Sequence, residues 1–182
     1  RIHGIIKKGG EVVNVVSAFA EVEFAARALD IPTMQDAYAK LLKTAEAAAL
    51  ASGTTLEYKP PRTALLAPVM VPEYLDLVRT SIVKAGVAER DIAREGAPLG
   101  SSDLGNVGHA YPTVNVMFKV APKSVALHED AMLNYTVPDA GWAVTVQAAK
   151  AIALSAHALL SDPAKVREIK ASFQKMKAAE GK

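Results

Sequence analysis

The chain contains no cysteine. Disulfide frameworks and thiolate metal sites are therefore excluded, and the composition suits a reducing compartment, so a cytoplasmic location is the expectation. Charge of one sign is not massed anywhere: 21 basic and 19 acidic residues leave a net charge of +2. The densest basic region, Lys165 to Lys182, also carries Glu168 and Glu180 and reads as the wet face of a helix, so nucleic acid is not an expected partner. There is no P-loop, no dinucleotide-binding glycine pattern and no Ser-His-Asp arrangement. The spacing of a four-ligand metal site is also missing, as are internal repeats and low-complexity tracts. The opening residues, Arg-Ile-His-Gly-Ile-Ile-Lys-Lys, are too few and too polar for a signal peptide. No methionine begins the chain and its first residues already read as strand, so a longer parent polypeptide is expected.

What is present is enough apolar material for one good core or two small domains: 51% of 182 residues are hydrophobic. The longest apolar run is Trp142 to Leu160. Gln147, Lys150 and His157 recur within it at helical spacing and form one polar stripe. No membrane span is expected there; a largely buried helix with one solvated stripe is.

From the start, Ile2 to Ile6 reads as a strand that turns at Gly9-Gly10. A return strand is expected through Val12 to Val16 and on from Phe19 to Arg27, with Ala18, Ala20, Val22 and Phe24 alternating against Phe19, Glu21 and Glu23. Pro32-Thr33 opens a helix with Thr33 as expected N-cap and Asp36 three residues on. Its apolar positions are Met34, Ala37, Tyr38, Leu41, Leu42, Ala45 and Ala49, and Ser52-Gly53 ends it. Thr54 to Tyr58 is expected to return as a strand. Residues 1–60 thus read β-β-α-β, an antiparallel sheet with a helix on one face.

Lys59-Pro60-Pro61-Arg62 is the expected boundary to a second domain, residues 61–182. There Pro72 opens a helix that Gly86 closes, and Val87 to Pro98 reads as strand-like or irregular. A small-residue loop, Gly100 to Gly108, leads into a β-branched run from Tyr111 to Val120, expected as a strand. Pro138-Asp139 caps a helix from about Ala140 to Leu160. Asp162-Pro163 supplies an N-cap and N1 proline for the last helix, whose apolar stripe is Val166, Ile169, Phe173 and Met176.

The stretch from Pro98 to His128 gathers the most polar groups beside a predicted strand. Asp103 could bind a cation or cap a helix, and capping is the commoner use. His109 and His3 read as packed or hydrogen-bonded residues, and His157 as part of the solvated stripe. His128 precedes Glu129 and Asp130, and one histidine does not make a metal centre. Asn14 and Arg27 fall on the same predicted strand and face one side only if a bulge shifts the register.

Two groups of residues carry a family resemblance. Arg1-Ile-His-Gly-Ile-Ile with Gly9-Gly10 and Asn14-Val15, followed by Glu21, Glu23-Phe24 and Arg27-Ala28, resembles the lid, or dimerisation domain, of a dinuclear-metal peptidase family. That family includes the aminoacylases, carboxypeptidase G and aminobenzoyl-glutamate hydrolase. Gly100-Ser-Ser-Asp103-Leu-Gly-Asn-Val with His109 and Pro112-Thr113 is similar to a segment of the catalytic domain in the aminobenzoyl-glutamate-hydrolase-like branch. His128 and the Ala-rich helix ending Leu159-Leu160, with Asp162-Pro163, continue the match.

The resemblance implies an α/β fold of the α+β kind: a ferredoxin-like lid, lacking its first strand and helix, then the C-terminal part of a zinc-peptidase-like domain. It implies hydrolysis of the amide of an N-acyl amino acid or dipeptide-like substrate by the full-length parent. Two divalent metal ions, zinc or alternatively manganese, would activate a water there. A glutamate upstream of Arg1 would shuttle the proton. His128 matches the last metal ligand. Asn14 and Arg27 match lid residues that hold the substrate carboxylate, a task for which a planar guanidinium is suited. Gly100, Ser101, Ser102 and Asp103, with His109, match the substrate-pocket loop. A homodimer through the lid is implied. Two local departures are Ser17 in place of a proline, and Glu129 to Met132 in place of Ser-Pro-Glu-Phe. The alternative reading is a non-catalytic dimerisation or binding module.

Overall fold

The computed structural model describes residues 1–60, 63–93, 100–122, 124–136 and 139–180. Pro61 and Arg62 of the expected boundary, residues 94–98 of the segment after Gly86, and Pro138 of the expected helix cap lie outside the described residues. The fold is α+β, in two compact units, Arg1–Ala67 and the remainder from Pro68.

In the first unit, β1 (Ile2–Lys8) and β2 (Glu21–Ala26) form an antiparallel pair running from Ile2 opposite Ala26 to Lys8 opposite Glu21. Gly4 sits opposite Phe24, whose ring occupies the space a Cβ would need. The ladder shifts register between Ile6 and Lys8, so Lys7 is an extra, bulged residue. Its ammonium lies 3.6 Å from Glu21 Oε1 and 3.4 Å from Glu23 Oε2. These carboxylates, Glu23 first, raise the pKa of Lys7 above its usual value.

The return strand is shorter than expected. Val12 to Val16 is not part of it: Val12–Val15 is a turn, with the Val15 N–H directed at the Val12 carbonyl. Pairing stops because β1 itself ends at Lys8, which leaves residues 9–20 as a loop instead of a tight Gly9-Gly10 hairpin. Gly10, at φ +116°, takes the left-handed turn this loop requires. Thr54 to Tyr58 is likewise not a strand. A strand exists through its ladder, and among the described residues β1 and β2 pair only with each other, so the expected β-β-α-β becomes β-β-α.

Helix α1 (Ile31–Ser52) begins earlier than expected. Asp30, not Thr33, is its N-cap: Oδ1 accepts the Thr33 N–H at 2.8 Å and Oδ2 the Thr33 hydroxyl at 2.9 Å. The two bonds from Thr33, backbone first, hold the carboxyl below its usual range. Pro32 fits the first turn because no partner is needed there for the missing N–H. Gly53, at φ +67°, closes the helix, and the Thr54 N–H reaches back to the Ala49 carbonyl at 3.0 Å. Every expected apolar position from Met34 to Ala49 is half-buried, and none is fully buried.

The second unit is helical: α2 (Pro72–Lys84), α3 (Leu104–Gly108), α4 (Leu133–Thr136), α5 (Asp139–Ser161) and α6 (Pro163–Glu180). Its core is Val69, Val71, Ile169 and Phe173, flanked by Tyr74, Leu77, Leu159 and Met176. The last helix follows its sequence signals closely: Asp162 Oδ1 accepts the Ala164 and Lys165 amides at 3.0 and 3.1 Å. The expected strand from Tyr111 to Val120 is not formed, since this unit offers no strand partner among the described residues.

Helix α5 buries one face only, through Ala151 and Ser155, and not most of its surface as expected. Trp142 and Leu160 remain 69% and 84% exposed. Lys150 and His157 are exposed and Gln147 half-buried. Gly141–Ser161, with mean hydropathy 1.4, is long and apolar enough to cross a membrane by length and composition alone.

Candidate functional site

Asn14 and Arg27 belong to the first unit but not to one strand. Asn14 lies in the turn at the loop end of the hairpin, beyond the pairing of Lys8 with Glu21. Arg27 follows β2 at the other end, where its N–H donates to the Arg1 carbonyl at 2.8 Å and its own carbonyl accepts a hydrogen bond from the Arg1 backbone nitrogen at 2.7 Å. The bulge that sequence parity required falls on β1 at Lys7, so it does not bring Asn14 and Arg27 to one side.

The other candidates lie in the second unit. Gly100, Ser101, Ser102 and Asp103 are exposed and lead directly into α3. A Cβ on Gly100 would meet open space. Asp103 does not cap with its side chain, contrary to expectation. Ser102 does: its hydroxyl accepts the Leu104 N–H at 3.2 Å and donates to Asp103 Oδ1 at 3.3 Å. Asp103 contributes its carbonyl instead, accepting the Asn106 and Val107 amides at 2.9 and 3.2 Å.

His109 is the C-cap of α3 and not the start of a strand. Its half-buried position is set by Gly108, which is buried against Pro68 and Thr113. A Cβ on Gly108 would lie 2.8 Å from Thr113 Oγ1 and 3.1 Å from Pro68 Cβ. The His109 carbonyl accepts Lys177 Nζ at 2.6 Å. Sequence reasoning missed Lys177. The available signal was its place four residues after Phe173, on the edge of the apolar stripe, but nothing local names a partner 68 residues away.

His128 is the one non-glycine residue with positive φ among those described, at +72°. That left-handed backbone disfavours a side chain by about 1–2 kcal/mol. It is exposed in a turn, and Glu129 braces the turn by accepting the Ala126 N–H at 3.2 Å. Asp130 opens a single 3₁₀ turn, Asp130–Met132, so the extended spacing that could pair it with His128 on one face is absent. Among the described residues no three His, Asp or Glu side chains cluster to hold a metal ion. The described residues therefore do not make a metal centre by themselves.

The candidates form a contiguous group only from Gly100 to His109. No known family profile matches the chain. It is 26% identical over 184 residues to a mouse (Mus musculus) protein named Xaa-Arg dipeptidase. It is 28% identical over 180 residues to a human (Homo sapiens) protein of the same name. Each alignment covers 96% of this chain but 40% of the relative, so the chain spans two-fifths of the length of the curated proteins it matches. Nearly end to end, its similarity is to named peptidases.

Proposed function

We propose that the chain is part of a metal-dependent amidohydrolase. The enzyme would cleave the amide bond of N-acyl amino acids or dipeptide-like substrates, including ones resembling aminobenzoyl-glutamate. The observation that carries this reading is the near end-to-end similarity to two dipeptidases. Dipeptides and N-acyl amino acids share an amide one residue from a free carboxylate. The Arg27 guanidinium suits that carboxylate, and the Asn14 amide, at the other end of the hairpin, would reach it from a second copy across the dimer. Within the second unit, the exposed Gly100–Asp103 loop and His109 suit substrate binding, with backbone close to the surface. His128 is the one metal ligand assigned to this chain. Its left-handed backbone supports that assignment, because such conformations collect at functional sites. The remaining ligands of two zinc or manganese ions, and the catalytic glutamate, come from outside these residues, so the 182 residues alone are inactive. A homodimer forms through the first unit, where two strands leave both sheet edges open and Ile5, Ile6 and Val22 exposed.

The test uses the full-length product of the gene, assayed on N-acyl amino acids and dipeptides beside their C-terminal amides. Hydrolysis of the free carboxylates, lost on chelation and restored by zinc or manganese, is expected. Equal turnover of the C-terminal amides, or activity that resists chelation, overturns the reading. A full-length protein that hydrolyses none of these but dimerises favours the binding module.

A further inference from the structure

Helix α5 is apolar on two opposite sides. On one side Ala151 and Ser155 are buried, and the Ser155 hydroxyl donates to the Ala151 carbonyl at 2.8 Å. On the other, Trp142, Thr145, Ala149, Ile152, Ala156 and Leu160 follow one another at steps of three or four residues, which lines them along one face. All six are exposed, Ile152 at 70%. The Thr145 hydroxyl is turned to the Gly141 carbonyl at 2.9 Å. Lys150 is the one charged side chain between Gly141 and Ser161, and with His157 it borders the stripe without entering it.

Helix α6 shows the pattern of an outermost helix. Opposite the buried Ile169 and Phe173 it exposes Arg167, Lys170 and Gln174. A helix with one apolar face closes a core, whereas a helix with two belongs between layers. Helices α2 and α6 are the neighbours of α5 within the unit. Among the described residues, no element of the second unit covers the stripe.

Area and charge separate the occupants that could cover it. The stripe is about 27 Å long and one helix face, about 10 Å, wide, so it covers roughly 270 Å². Two separate chains need about 800 Å² apiece to hold together. This face alone therefore holds a second copy poorly. A segment of the same polypeptide is kept at high effective concentration and needs far less area. A bilayer is disfavoured because protein already occupies the opposite side of the helix. It is disfavoured again because helices that lie in a membrane surface are rich in basic residues, and here one lysine borders the stripe. The chain spans two-fifths of the length of the relatives it matches, so a parent of that length has ample chain to supply a further layer.

We infer that the outward stripe of α5 seats an apolar helix or sheet face supplied, within the same polypeptide, by residues outside these 182. Helix α5 is then the middle layer of the complete domain. The inference rests on the amidohydrolase reading for the existence of that longer chain, and deepens it by naming where the outside part is held.

The experiment uses the full-length product of the gene with p-benzoylphenylalanine in place of Trp142, or of Leu160 should the first substitution prevent folding. Ultraviolet light joins the benzophenone to the group it touches, and mass spectrometry identifies the joined peptide. The expected product has the mass of a monomer and joins the probe to a peptide from outside the 182 residues. A product of dimer mass, a join within the 182 residues, attachment to added phosphatidylcholine–phosphatidylglycerol vesicles, or no join at all overturns the inference. So does a full-length product with no further residues. Ile152→Glu gives a second readout. Its melting midpoint should fall by at least about 5 °C, because a carboxylate is forced against apolar side chains. Lys150→Glu, on the border, should stay within about 1 °C of wild type. Equal midpoints for Ile152→Glu and wild type overturn the inference. Hydrolysis of N-acyl amino acids and dipeptides is assayed on the unmodified protein. The expected join without hydrolysis leaves the docking standing and overturns the amidohydrolase reading; hydrolysis with a dimer-mass product does the reverse.

Discussion

Ser172 Oγ donates to Glu73 Oε1 at 2.8 Å across 99 residues of sequence, joining the middle of α6 to the first turn of α2. The Glu73 carboxyl is held below its usual range of 4.5, first by its own backbone N–H, then by the Ser172 hydroxyl, with the charge of Lys165 adding to them.

A pH dependence follows from that lowered value. A carboxyl depressed in the folded state stabilises it fully above the unfolded pKa, and that stabilisation is lost as pH falls through the folded pKa. Ser172→Ala should therefore lower the urea midpoint near neutrality, and the difference from wild type should shrink as pH falls below 4.5. Urea titrations at about pH 7 and about pH 3 check this. A difference that is the same at both would show that the bond does not favour the ionised form.

The core of the second unit is small, so Phe173 should dominate it. Phe173→Ala is expected to cost about 3–5 kcal/mol by removing buried contacts with Val69, Val71 and Ile169. Asp162→Ala, which removes only the cap of the same helix, should cost about 1 kcal/mol. Chemical denaturation of both variants measures the contrast.

Two glycines at the ends of the Gly100–Gly108 segment should behave differently. Gly108→Ala places a Cβ 3.3 Å from Pro68 Cα and still nearer to Thr113, and should cost about 1–3 kcal/mol through overpacking. Gly100→Ala, which meets open space, should stay within about 0.5 kcal/mol. Thermal melts of the pair suffice.

Arg27→Lys in the full-length enzyme should raise KM more than it lowers kcat, because lysine keeps the charge but loses the two-pronged grip on a carboxylate. A collapsed kcat with unchanged KM would remove Arg27 from the carboxylate site.

His128 allows backbone and side-chain effects to be separated. His128→Gly should relieve the left-handed strain, raising the stability of the metal-free protein by about 1 kcal/mol. The same change should abolish metal retention and activity if the imidazole is a ligand. Metal analysis beside a denaturation curve reads both, and retained metal would remove His128 from the ligand set.

Helices were legible in the sequence because their signals are local. The apolar spacing from Met34 to Ala49, the Gly53 terminator and the Asp162-Pro163 cap all act within a few residues of where they are written. Even the cap expected at Thr33 was off by only one turn, since Asp30, three residues earlier, accepts the Thr33 amide with a charged oxygen. The site was legible only as a family pattern: quoted motifs drew attention to Gly100–Asp103, His109 and His128, but no local signal placed them in space.

Composition and periodicity by themselves determined the helix α1, the stripe on α6 and the absence of any thiolate in this chain, while the α+β class was what the family resemblance implied. Only the tertiary structure decided the strands and the supports of the loop. Val12 to Val16, Thr54 to Tyr58 and Tyr111 to Val120 all have strand-like character and none is a strand, because a strand is made by its neighbour and these runs have none among the described residues. Lys177 and Ser172 became important for the same reason: a lysine and a serine on a polar helix face are unremarkable until folding brings a helix end and a carboxylate, 68 and 99 residues away, within hydrogen-bond reach.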